Sequence, residues 1–404
     1  MRTHDDGLIL VAHRIPAQVT PVGEWLAEVA DRVVLITSEE AGPGYAGQFG
    51  EVIPVADYSG SDAVIAHVDR LCAEHTVSAV VHGTEDDILR LARARDRHGI
   101  AGLPAADALV FRDKHAMKAA VAAAVPTPQF LVPTGRADAE EFAERAGWPV
   151  VVKPRLGYGS RGVAVVHDVG ELTAQLSGRD PDDVLIEAYL PGAVHHVDGF
   201  MREGEVLFAL PSRYVNSCLS FADGESLGSA QLDEHDPLGK RLVDFAERAV
   251  AALPPTGFTP FHLEVFLHED TEELYFCEIG ARLGGGHVYE TLTLSTGVNP
   301  VELWFRDQAG LSRGDVPFSR GPECYGWLLV PPHRGTLEEI TDMRLPDSAV
   351  HHRLPDELPA AYAAATASTD AVVSFVVRGI DNAAVEAALH ECAQWASNAL
   401  RWSV

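Results

Sequence analysis

Short apolar runs alternate with amphipathic stretches through residues 7–100. "GLILVAH" (7–13), "RVVLIT" (32–37), "EVIPV" (51–55) and "VSAVVHG" (77–83) read as strands buried on both faces. Between the last two, Val64, Ile65, Val68, Leu71 and Cys72 recur at helical spacing, with Asp62 placed to cap that helix. This β-α-β-α rhythm predicts a parallel sheet covered on both sides, hence a doubly wound α/β domain over residues 1–112. No G-x-G-x-x-G follows the first strand, so ordinary dinucleotide binding is not supported.

The pattern then changes. "FRDKHAMKAAVAAAVPTPQFLVP" (111–133) is an Ala-rich helix stopped by Pro126 and Pro128, and "DAEEFAERAG" (138–147) is a second helix. "WPVVVKPRLGYGSRGVAVV" (148–166) reads as strand, glycine loop and strand, and "DDVLIEAYLPG" (182–192) as strand and turn. "HHVDGFMREGEVLFALPSRYV" (195–215) predicts a hairpin turning at "REGE", and "DPLGKRLVDFAERAVAAL" (236–253) an amphipathic helix. "PFHLEVFLHEDTEELYFCEIG" (260–280) predicts a second hairpin with an acidic turn. Beyond residue 312, strands are expected near 323–330 and 371–378 and a helix at 382–399. There is no internal repeat and no low-complexity linker.

Composition narrows the partners. A chain of 404 residues, 47% of them hydrophobic, exceeds one ordinary domain and can fill several cores. Its net charge of −28, from 31 basic and 59 acidic residues, argues against nucleic acid or an anionic membrane as a general partner. A nucleotide needs only a local positive pocket and stays compatible. The five scattered cysteines (Cys72, Cys218, Cys277, Cys324 and Cys392) form no CxxC pair and suit buried thiols in a reducing compartment. "MRTHDDGLILVAHRIP" lacks the layout of a signal peptide, and no apolar run approaches the roughly 20 residues of a membrane span. The expectation is a soluble, cytoplasmic protein.

The chemistry concentrates in two places. In "HLEVF", His262, Glu264 and Phe266 share a strand face, and in "LYFCEIG" the same alternation sets Glu278 with Phe276 and Leu274. If the two segments pair, Glu264 and Glu278 meet in an otherwise apolar sheet. Two close carboxylates suit a hard cation such as Mg²⁺, whereas an amphipathic strand with Glu264 toward solvent is the plainer reading. Arg282 offers a planar fork for carboxylate or phosphate, and Gly284, Gly285 and Gly286 let backbone amides approach an anion; a helix start at a tight turn is the alternative. In "VVVKPRLGYGSRGV", Lys153 closes an apolar strand before a loop whose amides and Ser160 hydroxyl can fold over phosphates. It is not the P-loop pattern, because the lysine precedes the glycines, and an ordinary Gly-tipped hairpin reads as well from this stretch alone.

Taken in order, "RDKHAMK", strand-Lys153 with its Gly/Ser loop, "LIEAYLPG", "HLEVF" and "CEIGARLGGG" resemble the ATP-grasp superfamily of carboxylate–amine ligases over roughly residues 1–310. The resemblance implies a multidomain α/β and α+β fold: a doubly wound pre-grasp domain (1–112), two grasp lobes (113–190 and 191–311) holding ATP between them, and a C-terminal α+β subdomain (312–404). It implies Lys114 and Lys153 on the ATP phosphates, with Gly157 to Gly162 as the lid, including Gly159, Ser160 and Gly162. Glu187, Tyr189 and Leu190 would line the adenine and ribose site, with backbone groups of 188–190 reading the base edge. Glu264 and Glu278 would hold Mg²⁺ (or Mn²⁺), and Arg282 would bind the acceptor carboxylate or the charged intermediate.

Two departures stand out. Gly280 replaces the family's usual Asn ligand, so either more water is used or Glu278 bridges both ions alone. In "PGAVHHVD", Val194 stands where an acidic residue is common, which leaves His195, or nothing, for the ribose contact. Ala116-Met117-Lys118 faintly resembles a biotin-attachment sequence but lies in a helix-forming segment, so biotinylation of Lys118 is rejected. His82, His235 and His287 show no ligand spacing; His287, after the triglycine, is the best exception.

The implied activity is an ADP-forming ligase that makes a C–N bond through an acyl phosphate. Its expected partners are small carboxylic acids and amines, an amino acid among them. The form of the triglycine segment resembles that of amino-acid ligases. The substrate pocket is expected between Gly284–His287, Tyr214 to Ser217 and "HGTEDD" (82–87), where Glu85 either holds an ammonium or caps the following helix. Residues 312–404 are expected to close the site or form a homodimer contact. A carboxylase subunit making carboxyphosphate, and a nucleotide-binding protein without turnover, are the alternatives.

Overall fold

The computed structural model describes residues 7–216, 220–311, 317–365 and 370–403; Ser217 and Cys218 lie outside the described residues. The predicted N-terminal strands form a parallel four-stranded sheet in the order Glu51–Val55, Val33–Ser38, Leu8–Ala12, Val77–His82. The helix Ala63–Glu74 turns Val64, Val68 and Leu71 onto it, as the spacing predicts. Asp62 occupies the cap position without a side-chain bond; the Ser61 hydroxyl instead accepts the Ala63 N–H at 3.3 Å.

A second sheet of four antiparallel strands follows: Phe130–Leu131, Val184–Ala188, Val150–Pro154 and Ala164–Val166. Alternation gives it two chemistries. Val150, Val152, Val184 and Ile186 pack under the helices Arg136–Ala146 and Val169–Leu176, which leaves Val151, Lys153 and Glu187 for the opposite face.

That face meets the largest sheet, whose eight strands run Leu274–Gly280, Thr259–His268, Gly192–Arg202, Glu205–Tyr214, Leu227–Gln231, Cys324–Val330, Val373–Gly379, Ala349–Arg353. The strands Cys324–Val330, Val373–Gly379 and Ala349–Arg353 therefore extend the sheet begun by residues 192–280. Helices Lys114–Val121 and Pro237–Ala251 bury one side of the first strands, and Asn382–Ala399 buries the same core layer beneath the later ones. Among the described residues no helix is long and apolar enough to cross a membrane.

The strand Gly192–Arg202 pairs with both neighbours along almost its whole length. A Cβ on Gly199 would lie 2.0 Å from the Phe208 carbonyl oxygen, so this central position admits no side chain without moving backbone. Gly199→Ala should cost about 1–3 kcal/mol or more by thermal unfolding, against less than about 0.5 kcal/mol for Gly257→Ala. Nothing lies within 4 Å of a Cβ on Gly257. Equal melting temperatures for the two variants would show that the strand spacing is not a constraint.

Candidate active site

The second and third sheets enclose a cavity of about 170 Å³. Its apolar end is walled by Val151, Val163 and Val165 from one sheet and Val194 and Phe266 from the other, with half-exposed Tyr189 and Leu190 at the rim. That is a slot for a flat, apolar-faced ring. The Ala188 N–H is already given to the Gln129 carbonyl at 2.9 Å, so it is not free to donate to a ring edge. The loop from Gly157 to Arg161 closes one side, with Ser160 at φ 58° and Gly159 and Gly162 also at positive φ.

The polar end is built from cations and carboxylates facing each other. Lys153 Nζ lies 2.9 Å and Lys118 Nζ 3.2 Å from the same Glu187 oxygen. Burial alone would raise the Glu187 carboxyl, but the two lysines outweigh it and hold it below its ordinary range. Lys114 Nζ lies 3.3 Å from Glu278 and donates to the Gly157 carbonyl at 2.5 Å. Against burial, Lys114, Lys153 and Arg282 keep the Glu278 carboxyl at about 2. Asp113 arranges the lysines: it caps the Lys114–Val121 helix by accepting from His115 and Ala116, and it pairs with Arg155, two residues beyond Lys153.

Glu264 and Glu278 stand directly opposite each other in register, as their alternation predicts. The Tyr214 hydroxyl donates to Glu264 at 3.0 Å and the buried Cys277 thiol lies 3.8 Å from its other oxygen. Glu264 and Glu278 both line the cavity beside Lys114 and Lys153, and such a carboxylate pair fits a hard divalent cation. Gly280 contributes no side chain; a Cβ there would lie in ordinary contact, at 3.4 Å, with both the Glu85 carboxylate and the Arg282 side chain.

Beyond Glu264 the same face carries a buried relay. Asp198 accepts from His196 Nδ1 at 2.6 Å and His262 Nδ1 at 2.8 Å, and His262 Nε2 reaches 3.6 Å from Glu264. A Cβ on Gly284 would lie 2.7 Å from His262 and 2.9 Å from Asp198, while one on Gly286 would meet the Trp327 ring at 3.0 Å. Two of the three glycines are therefore required by close packing on the protein itself. Only Gly285 borders open space.

Arg282 gives Nε to Glu85 and Nη1 to the Leu283 carbonyl at 2.6 Å. Glu85 is also bound by Arg112, so two guanidiniums share its carboxylate. Glu85 is the first residue of the helix Glu85–His98, whose cap position is Thr84, and its carboxylate is taken by those two guanidiniums. A second cavity of about 820 Å³ opens past Gly284–His287, bounded by His13, Gly83 and the C-terminal segments 353–357 and 371–374. Tyr214 is not part of its wall; it serves Glu264. His287 Nε2 is 2.8 Å from Ser374, and its other nitrogen approaches Glu290 at 3.0 Å. His287, Glu290 and His351 are close enough for an ion, but Arg353 already holds the Glu290 oxygen at 2.6 Å.

Most expected site residues thus converge, and His195 does not. It is 1% exposed on the opposite strand face, while Val194 lines the slot, because side chains one apart point to opposite sides. Sequence reading missed Lys118, Arg112, Asp198 and the pairing of His196 with His262. One signal was available: the chain has only four lysines, at 114, 118, 153 and 240, and the first three pair with Glu187 or Glu278 in the wall of this cavity.

Comparison with known proteins agrees with the geometry. Residues 111–286 match the ATP-grasp domain model. Over 273 residues the chain is 26% identical to the L-arginine-specific L-amino acid ligase of Bacillus subtilis, a match spanning 65% of each protein and so just under two thirds of that relative. It is 25% identical over 355 residues to the formate-dependent phosphoribosylglycinamide formyltransferase of Synechocystis, covering 81% of this chain and 85% of that one. The crystal structure of an L-amino acid ligase from Bacillus licheniformis superposes with a TM-score of 0.76 over 98% of this chain and 99% of the other, at 20% identity, which is a likeness of fold. The chain carries an ATP-grasp domain over residues 111–286, the class of domain that the matched ligases share. Enzymes of that class use ATP and Mg²⁺.

Two measurements probe this electrostatics. Glu187→Gln leaves two buried lysines without their counter-charge and should cost about 3–5 kcal/mol in thermal unfolding; an unchanged melting temperature would mean that the lysines do not depend on it. Burial alone would lower the His262 imidazole, but Asp198, with Glu264 behind it, lifts it to about 9. Unfolding then releases that proton, so the stabilisation is complete below pH 6.5 and is lost as pH rises through 9. Stability should fall by up to about 3 kcal/mol across that window. His262→Gln should flatten the fall, and an equal slope in the variant would refute the charged pair.

Proposed function

We propose that the protein joins a carboxylic acid to an amine, one of them an amino acid, at the expense of ATP. The observation that carries this reading is that Glu264 and Glu278, opposite each other in register, line the same cavity as Lys114 and Lys153. The apolar slot would hold adenine, and Lys114 and Lys153 the phosphates. Glu264 and Glu278 would hold Mg²⁺ or Mn²⁺, which supplies charge neutralisation to the phosphate oxygens.

In the first step an oxygen of the substrate carboxylate attacks the γ-phosphorus and ADP departs, leaving an acyl phosphate. In the second the amine nitrogen attacks the acyl carbon, the C–O bond to phosphate breaks, and the nitrogen loses its proton. Arg282 would orient the carboxylate and then the acyl phosphate through its fork. The chemistry rests on positioning and charge rather than on a protein nucleophile. The loop 157–162 would exclude water from the acyl phosphate. On this reading residues 1–112, 113–190 and 191–311 act as pre-grasp domain and two lobes, and 312–404 closes the substrate cavity.

Similarity to an L-amino acid ligase supports an amino acid as a substrate. The test is Mg²⁺-dependent ADP release across a panel of acids and amines. ADP formation requiring both partners, and reduced by about two orders of magnitude or more in Glu278→Gln, is the expected result. Nucleotide binding without turnover on any pair, bicarbonate included, would overturn the ligase reading. Release that requires bicarbonate would make the protein a carboxylase instead.

A further inference from the structure

The first turn of the helix Glu85–His98 belongs to the N-terminal domain, yet it reaches the phosphate loop by two routes. The Tyr158 hydroxyl faces Asp86. Glu85 binds Arg112, whose Nη2 donates to the Leu156 carbonyl at 3.0 Å and whose guanidinium lies 5.9 Å from the centre of the Tyr158 ring. Arg112 therefore grips the N-terminal stem of the loop by a carbonyl and an aromatic face. The other Glu85 oxygen binds Arg282 Nε. Arg112 and Glu85 side chains are about as shielded as each other, at 10% and 11% exposure, so the pairing is little screened by solvent.

We propose that Arg112 is a positioning residue that holds the phosphate loop from outside the grasp lobes, and that Glu85 ties it to the substrate-side guanidinium of Arg282. This rests on the reading of 157–162 as the lid over ATP and of Arg282 as the carboxylate site. The physical content is competition for charge. One carboxylate serves two guanidiniums, leaving the trio with one net positive charge. An anion arriving at Arg282 draws that guanidinium from Glu85, and Glu85 then binds Arg112 alone. Lid position and substrate occupancy become linked through a carboxylate that touches neither ATP nor the reacting atoms. Lysine at 112 would keep the charge but could not satisfy Glu85 and the Leu156 carbonyl with one planar fork.

The experiment is amide hydrogen exchange of the segment 154–164 in the full-length protein, without ligand and with saturating Mg·ADP. It compares the wild type with Arg112→Ala, Arg112→Lys, Glu85→Gln and the Glu85→Gln/Arg112→Ala double variant, with melting temperatures and ADP affinity recorded for each. Without ligand, Arg112→Ala should speed loop exchange about tenfold, the effect of losing one hydrogen bond from a charged group. Arg112→Lys should fall between it and the wild type. Glu85→Gln should also speed exchange, and the double variant should exchange no faster than Arg112→Ala, because both changes break one linkage. Unchanged loop exchange in a folded Arg112→Ala or Arg112→Lys would overturn the positioning role, and additive effects would overturn the tie through Glu85. The ligand-free arm needs neither turnover nor nucleotide, so it stands or falls separately from the ligase reading. Loss of ADP protection in the wild type alone would count against the lid.

Discussion

The register in which Thr259–His268 pairs with its two neighbours decides where the chemistry can be. Glu264 lies opposite both Glu278 and His196, His262 opposite Asp198 and Gly280, and Phe266 opposite Val194. Each cross-strand pair shares a face, so one register assembles the apolar slot, the carboxylate pair and the His–Asp relay in succession along a single surface. A slip by one residue would turn all of them into the helix-covered core and bring Leu263 and Val265 into the cavity. The core residues that alternate with the site are what hold the site in place.

That arrangement collects charges in a partly buried space, and they are tolerated because each sign has its opposite. Lys118 and Lys153 share Glu187, Lys114 meets Glu278, and Arg282 and Arg112 share Glu85. These links span from 27 residues (Arg112–Glu85) to 197 (Arg282–Glu85), and several join a helix to a sheet strand. The polar network therefore does structural work in the ligand-free protein while presenting lysines that a phosphate chain can take over. Such exchange of partners leaves a buried ammonium paired in both states, which avoids the cost of an uncompensated charge.

Much of this was legible from spacing. Period-two alternation located both hairpins, the faces of Glu264 and Glu278, and the position of Lys153 at a strand end. The N-terminal strands were continuous enough to be read as a buried parallel sheet. What spacing could not supply is partnership across long separations. Glu85 and Arg282 are 197 residues apart, and Lys118 meets the Phe276 carbonyl across 158. Alternation also counted against His195, whose neighbour Val194 shares the face of His196 and Asp198. The triglycine looked like a ligand cradle, yet packing on His262, Asp198 and Trp327 explains two of its members.

Charge balance gives the last step. A chain with a net charge of −28 repels polyphosphate over most of its surface, so any such anion it binds must be favoured by a local field stronger than the global one. Arginine supplies nearly all of the chain's cations, and a guanidinium satisfies surface pairs well but keeps its planar fork. Lysine is the compact ammonium that can exchange a carboxylate for a phosphate oxygen without a fixed plane. Three of only four lysines pair with the carboxylates in the wall of one cavity. Apart from Lys240, lysine stands where a mobile point charge can exchange one oxygen partner for another, and Arg112 and Arg282 are held on Glu85, where a fork between two partners is needed.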